Sequence, residues 1–406
     1  MGQSTFPTPS AGASYSSQPP ANASSVLLDG SLVNSSSYST TVTGTGTSWL
    51  LYANGAGTTT ITVGSDVYNV PAGSTVGTSA YTGSKSVTAN GPTAAPSTFI
   101  TSTISSNSLW EAVAYGNGIF VATANNTNAS AYSTDGINWT ASTMPSSQNW
   151  CNIAYGLVSG TGYFVAITDG NVGAYSTNGT TWTASTMPNS SWYGLAYGNG
   201  KFVAVGSGSQ STYSTDGINW TTSTMPGSLS WNNIAYGLVS GTGYFVAAAN
   251  SAFGSTTTST AAYSTDGITW TASSMPSSQY WQGVAYGNGK FVAIAQTTYP
   301  YTTVSGAYST NGTSWTTSTM PSNSQWTNVT YGNGYYVAIS YSAAGAYSTN
   351  GTTWTASTLP SSVSWYGVTY GNGKFVVVAT GNTISAYFNT ILPVAYGIYN
   401  GPTATH

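Results

Sequence analysis

Arginine is missing from all 406 residues, and only four lysines stand against seven acids. Charged side chains make up 3% of the chain, where a globular domain usually carries about a quarter. With no basic patch to neutralise phosphates, nucleic acid and anionic membrane surfaces are excluded as partners. Cysteine and histidine occur once each, as Cys151 and the terminal His406. That excludes an internal disulfide and a His/Cys metal site, and no cofactor motif is present. No stretch approaches the roughly 18 apolar residues of a membrane span, so membrane insertion is not expected. The opening "MGQSTFPTPSAGASYSSQPP" has neither a basic nor an apolar segment of signal-peptide type, which predicts synthesis in a cytoplasm without a cleaved leader.

What the chain does have is aromatic area, with 31 Tyr and 14 Trp. That is enough to build a large core despite the Ser/Thr/Asn/Gly background. The tryptophans recur. One series stands at 110, 150, 192, 231, 281, 326 and 365, with spacings of 40, 42, 39, 50, 45 and 39 residues, the period of propeller blades. Within the copy from Trp192 to Met225, "WYGLAYG", "KFVAVG", "STYST" and "WTTSTM" read as four short strands, a to d, by their alternation and Gly/Asn punctuation. The turn from a to b is "YGNG", or "YGLVSGTGYF" in the copies at Trp150 and Trp231. The turn from c to d is "YSTDGINW" or "YSTNGTTW". Asp and Asn exchange freely there, so the side chain is expected to accept hydrogen bonds from backbone N–H groups without needing its charge.

Strand counting gives the closure. Seven a strands are matched by only six d strands that begin with Trp, at 139, 182, 220, 270, 315 and 354. Phe99 lies eleven residues before Trp110, the same spacing as Trp139 to Trp150, and the last copy stops after strand c at "AYFN". The expected fold is all-β: a seven-bladed β-propeller over 98–390, closed by an N-terminal outer strand at Phe99 to Ile104. An arm (1–25), a small β domain serving as anchor (26–90) and a linker (91–97) precede it, and a C-terminal tail (391–406) follows. The thirteen propeller tryptophans are expected to pack between blades.

The segment S-T-[D/N]-G-x-x-W resembles the Asp-box of sialidase-like propellers, one residue shorter. The resemblance covers 98–390 and implies architecture, since such boxes are structural. Sialidases hold substrate with an arginine cluster that this chain lacks. Of the acids, only Glu111 and Asp169 fall outside the turns and the N-terminal region, and they belong to different blades. A glycosidase-type carboxyl pair is therefore not indicated, and the chain is read as non-enzymatic. Lys201, Lys290 and Lys374, after the a-to-b turns, read as solvated edge residues.

The repeats also look like those of virion appendage proteins of tailed bacteriophages, cyanophages among them. This resemblance implies a virion surface protein, a tail fibre or appendage that attaches to a host-surface glycan or protein. Residues 1–90 would hold other virion proteins, and the composition is compatible with a homo-oligomer. A capsid decoration or vertex protein with a structural role, and a bacterial surface adhesin, are the alternatives. Alternate hairpins emerge on opposite faces, and the b-to-c connections vary most, with insertions between Phe245 and Tyr263 and between Phe291 and Tyr308. Tyr299 and Tyr301 around Pro300, Phe253 in the neighbouring insertion, and Trp281 are the candidate ligand-binding residues.

Overall fold

Each copy of the repeat folds into antiparallel strands that pair in chain order. The computed structural model describes residues 25–28, 38–54, 58–71, 74–90, 95–252, 256–296, 305–390 and 395–400. The copy at Trp150 forms a sheet of its own from Trp150–Val158, Thr161–Thr168, Val172–Ser176 and Thr183–Thr186, as does the copy at Trp326. Burial follows composition across these strands. The strand Lys201–Ser214, in which b and c run together, opens with a run of buried residues, Phe202 to Val205, whereas the d strand at Thr183–Thr186 is Thr-Ala-Ser-Thr and mostly exposed. Elsewhere d runs straight into the next a, as in Thr221–Val239 and Thr271–Gly287, which fuses neighbouring copies into longer sheets. The result is a curled, propeller-like all-β fold. Among the described residues no helix is long and apolar enough to cross a membrane.

The turn chemistry is local. In the a-to-b hairpin, Asn199 and Gly200 have φ of 47° and 71°, the left-handed pair that a two-residue turn of type I′ requires. In the c-to-d turn Asp216 Oδ1 accepts from the N–H groups of Ile218 and Asn219, both at 2.8 Å, and from the Ser214 hydroxyl. The Ser214 oxygen in turn accepts from Gly217 N–H at 2.8 Å. Asn178 Oδ1 takes the same role, accepting from Thr180 and Thr181 N–H at 2.9 Å. An amide therefore replaces the carboxylate with both backbone partners kept; only the second oxygen's bond, such as that from Asn219 Nδ2 to Asp216 Oδ2 at 2.8 Å, has no counterpart.

The two versions should differ in acid. Desolvation raises the Asp216 and Asp266 carboxyls, but the hydrogen bonds together outweigh it and bring both down to about 2; Asp135 is lowered in the same way. A carboxyl lowered in the fold contributes stability that is present above its unfolded pKa of about 3.9 and lost as pH falls through its folded value. The triple variant Asp135→Asn, Asp216→Asn, Asp266→Asn should therefore lose less melting temperature between pH 7 and pH 2.5 than the parent. Equal losses in parent and variant would contradict this role.

Successive repeats lock through a tyrosine on a glycine. A Cβ on Gly116 would stand 2.1 Å from Tyr155 Cγ, and one on Gly198 would stand 2.0 Å from Tyr236 Cγ. The same contact joins Gly156 to Tyr197, Gly237 to Tyr286, Gly287 to Tyr331, Gly332 to Tyr370, and Gly371 to Tyr115. The c-to-d glycines make a second contact, Gly217 on Val165 of the preceding copy and Gly136 on Val376 of the last. Between these contacts lie the seven a-strand tryptophans, all fully buried. Trp110, Trp192 and Trp365 donate their indole N–H to the carbonyl four residues earlier, at 2.9, 2.9 and 3.1 Å.

The last copy has strands a to c, Trp365–Gly371, Lys374–Ala379 and Asn382–Asn389, and the third of these pairs with Ile100–Gly116. The register sets Tyr387 against Ile100 and Ile384 against Thr103. Phe99 is buried beside Trp365 and Phe375, and its N–H donates to Thr358 O at 2.9 Å.

Three expectations change in detail. The chain divides into one unit of residues 95–389 and another built from both ends, 1–94 and 390–406. The expected C-terminal tail contributes a strand, Ala395–Asn400, which pairs with Ser25–Leu28 and Tyr38–Asn54 inside the sheet of the N-terminal β region. Alternating Ala, Gly and Tyr gave that strand too weak an apolar signal to be read from the sequence. Lys374 is not a solvated edge residue either: it is 3% exposed, and burial lowers its pKa against an opposing pull from Asp135.

Candidate functional site

The residue after each inner tryptophan cannot continue the ladder. In all seven copies the a-to-b register shifts there, as between Trp110 and Ala112, Trp231 and Asn233, and Trp326 and Asn328. A β-bulge of this kind re-aims the extra side chain. The residues so placed are Glu111, Cys151, Tyr193, Asn232, Gln282, Thr327 and Tyr366. The tryptophan before them never changes and the position after them is only Ala, Asn or Gly, yet no type recurs among these seven except tyrosine. All lie at the start of strand a, the end fed by the d-to-a connection.

Here the chain forms a half-open cavity of about 140 Å³, to which every inner strand contributes, through Glu111, Cys151, Leu195, Asn233, Val284, Asn328 and Gly367. Asn152 and Asn328 brace it across repeats, donating to Tyr193 O at 3.0 Å and Tyr366 O at 3.2 Å. Their side-chain oxygens accept from the next backbone N–H, Ile153 and Val329. One side of the rim is an amide chain: Asn232 donates to Gln282 at 2.8 Å, and Gln282 to Gln296 at 2.9 Å. The other side is phenolic and acidic. Tyr341 donates to the Tyr366 hydroxyl at 2.8 Å, and Asn125 donates to Glu111 Oε2 at 3.0 Å.

Burial is the largest influence on Glu111 and raises its pKa; Asn125 opposes this and the charge of Asp169 adds to it. Glu111 and Asp169, on separate repeats, thus feel one another. Burial, then Glu111 and Asp169, also push the Cys151 thiol up, and its Sγ–H donates to Asn149 O at 3.2 Å. A thiol held protonated is a poor nucleophile. Burial raises Tyr341 as well, helped by Tyr366 and Glu111. Among the described residues no group of three or more His, Cys, Asp or Glu could hold a metal ion.

Of the candidate ligand residues, Tyr299, Tyr301 and Phe253 lie outside the described residues. Trp281 is fully buried in the core with Phe291 and Val284, donating its indole N–H to Ser277 O at 3.3 Å. Its ring has no free face for a sugar, because it fills the same inter-repeat space as the other six a-strand tryptophans. The structure instead brings together the residues one step further on. Their signal lay in the sequence as six residue types at seven equivalent positions, each directly after an unvarying tryptophan.

A model of the DUF6242 beta propeller domain matches residues 95–244. No curated protein matches the chain. Among solved structures, the chain is similar to streptogramin B lyase (TM-score 0.61, 14% identity, covering 71% of this chain and 97% of that one). It is also similar to a catalytically inactive virginiamycin B lyase from Staphylococcus aureus with quinupristin (0.59, 13%, 71% and 99%). A third is YCF48 bound to D1 peptide (0.55, 13%, 74% and 97%). At these identities the likeness establishes the propeller fold, which hosts many unrelated functions.

Proposed function

We propose that this chain is a non-catalytic binding protein whose propeller is a ring of seven blades, closed by residues 99–104, that attaches to a surface through the face bearing the d-to-a and b-to-c connections. Closure is supported by the contacts of Gly371 with Tyr115 and of Gly136 with Val376, each of which joins the last repeat to the first. The attachment face is carried by one observation: side-chain variety collects in the bulge residues after the inner tryptophans, while the opposite face repeats its Asn-Gly and Asp/Asn-Gly turns. Variable groups on a rigid scaffold are where binding resides.

Two features support a role without catalysis. The Cys151 thiol, pushed up by burial, is a poor nucleophile. The similar S. aureus lyase is catalytically inactive as a histidine-to-alanine variant, whereas the one histidine of this chain is the terminal His406. The proposed setting is the virion surface of a tailed phage, with synthesis in the host cytoplasm and residues 1–90 toward other virion proteins. A bacterial adhesin would use the same face.

Adsorption of the full-length protein to bacterial cells tests the reading. Tyr366→Ala, or Tyr299→Ala with Tyr301→Ala, should reduce adsorption in a protein that still unfolds cooperatively, the first with a lower melt because Tyr341 loses its acceptor. Leu157→Ser with Leu238→Ser, at exposed positions on the opposite face, should not. If only the leucine variant reduces adsorption the face is wrong, and if neither does, the protein has the structural role of a decoration protein.

A further inference from the structure

Resting on that attachment reading, we propose that the cavity at the start of the inner strands is a binding site for one neutral sugar ring, the terminal pyranose of a surface glycan. Size comes first. At about 140 Å³ the space is close to the roughly 150 Å³ cavity that holds a benzene molecule, so it admits one six-membered ring, whose bulkier substituents and any second sugar must extend through the open side.

The polar groups come second. Glu111 Oε2 is occupied by Asn125, but Oε1 takes no hydrogen bond from the described residues. Asn233 spends its side-chain oxygen on Ile234 N–H at 2.8 Å and leaves its amide N–H groups without an acceptor among the described residues. An unfilled acceptor and an unfilled donor line one small cavity, on strands of two non-adjacent repeats. Every hydroxyl of a sugar ring is both donor and acceptor, so hydroxyls on different edges of one ring can meet the two groups.

Charge selects within that class. Glu111 lines the cavity and Asp169 lies near it, and arginine is absent from the chain. Lys201, Lys290 and Lys374 all follow the a-to-b turns, at the far end of the inner strands. A carboxylated or phosphorylated sugar would meet like charge with no cation to pair it, which disfavours it strongly in a partly desolvated site. A cationic ligand is disfavoured for a different reason. Only one carboxyl lines the space, and the other polar side chains that line it are chiefly amides, which offer a cation little to pair with.

Saturation-transfer NMR and calorimetry on the full-length protein test this, with methyl glycosides of neutral hexoses and N-acetylhexosamines, methyl glucuronide, and methylammonium as probes. The expected result is saturable binding of a neutral glycoside and at least about tenfold weaker binding of the glucuronide. Asn233→Ala should weaken the neutral glycoside about tenfold. Glu111→Gln, nearly isosteric and safe for folding, should narrow the gap between neutral and acidic sugars. Equal binding of glucuronide and neutral glycoside overturns the proposal, as does competition by methylammonium, or a selectivity that Glu111→Gln leaves untouched. If Tyr366→Ala abolishes cell adsorption while no monosaccharide binds, the attachment reading stands and the sugar site falls. If a neutral glycoside binds in the cavity while no substitution on that face alters adsorption, the sugar site stands and the attachment reading falls.

Discussion

Removing residues 98–105 should abolish cooperative unfolding of the propeller or drive the protein into aggregates. The segment supplies the strand that pairs with Asn382–Asn389 and the buried ring of Phe99, 3% exposed beside Trp365 and Phe375. Loss of a buried Phe alone costs about 3–5 kcal/mol, against a total stability of about 5–15 kcal/mol for a domain. The deletion adds the unpaired groups of the exposed strand, where Tyr387 loses Ile100 and Ile384 loses Thr103, and the C=O of Thr358 loses Phe99 N–H. An open edge of this kind pairs readily with another chain. Phe99→Ala in the otherwise intact chain gives the milder version, an expected loss of about 3–5 kcal/mol in denaturant unfolding. An unchanged melt after the deletion would rule out closure by this strand.

That strand was legible because a missing tryptophan is a countable event. Position 99 holds Phe where six other copies hold Trp, at a spacing of eleven residues. The c-to-d turn was legible for a chemical reason, since free exchange of Asp216-type for Asn178-type residues is what a pure acceptor permits, and both accept from the same pair of backbone N–H groups. The "YG" step was only half read. Its glycine looks like turn punctuation, yet Gly198 lies before the turn, and what it must avoid is Tyr236, some 38 residues away. No local pattern announces a contact across repeats. Lys374 fails for the same reason, since its burial depends on the neighbour it meets. The bulge residues were legible in principle: a position that reads Glu, Cys, Tyr, Asn, Gln, Thr, Tyr directly after an unvarying tryptophan has escaped the packing that fixes that tryptophan.

Gly198 and Gly200 stand two residues apart in one hairpin and should respond to alanine for opposite reasons and by different amounts. Gly200 has φ of 71° and no atom within 4 Å of an added Cβ, so Gly200→Ala meets only backbone strain, about 1 kcal/mol. At Gly198 an added Cβ would lie 2.0 Å from Tyr236 Cγ and 2.3 Å from Cδ2, well inside contact distance. The tyrosine ring cannot swing away freely, because it also packs on Phe245 with centroids 4.8 Å apart. Overpacking costs of about 1–3 kcal/mol, occasionally more, should here reach or pass the upper end, so Gly198→Ala is expected to lose at least about 3 kcal/mol. The clash has a specific cure. With Tyr236→Ala the space opens, and the double variant should be no less stable than Tyr236→Ala alone, a coupling between residues 38 positions apart that a defect of the turn cannot produce. Gly371→Ala against Tyr115 should behave in the same way, carrying the test to the junction of the last repeat with the first. Strictly additive losses in the Gly198/Tyr236 cycle would mean that the glycine serves its own hairpin and not the lock between repeats.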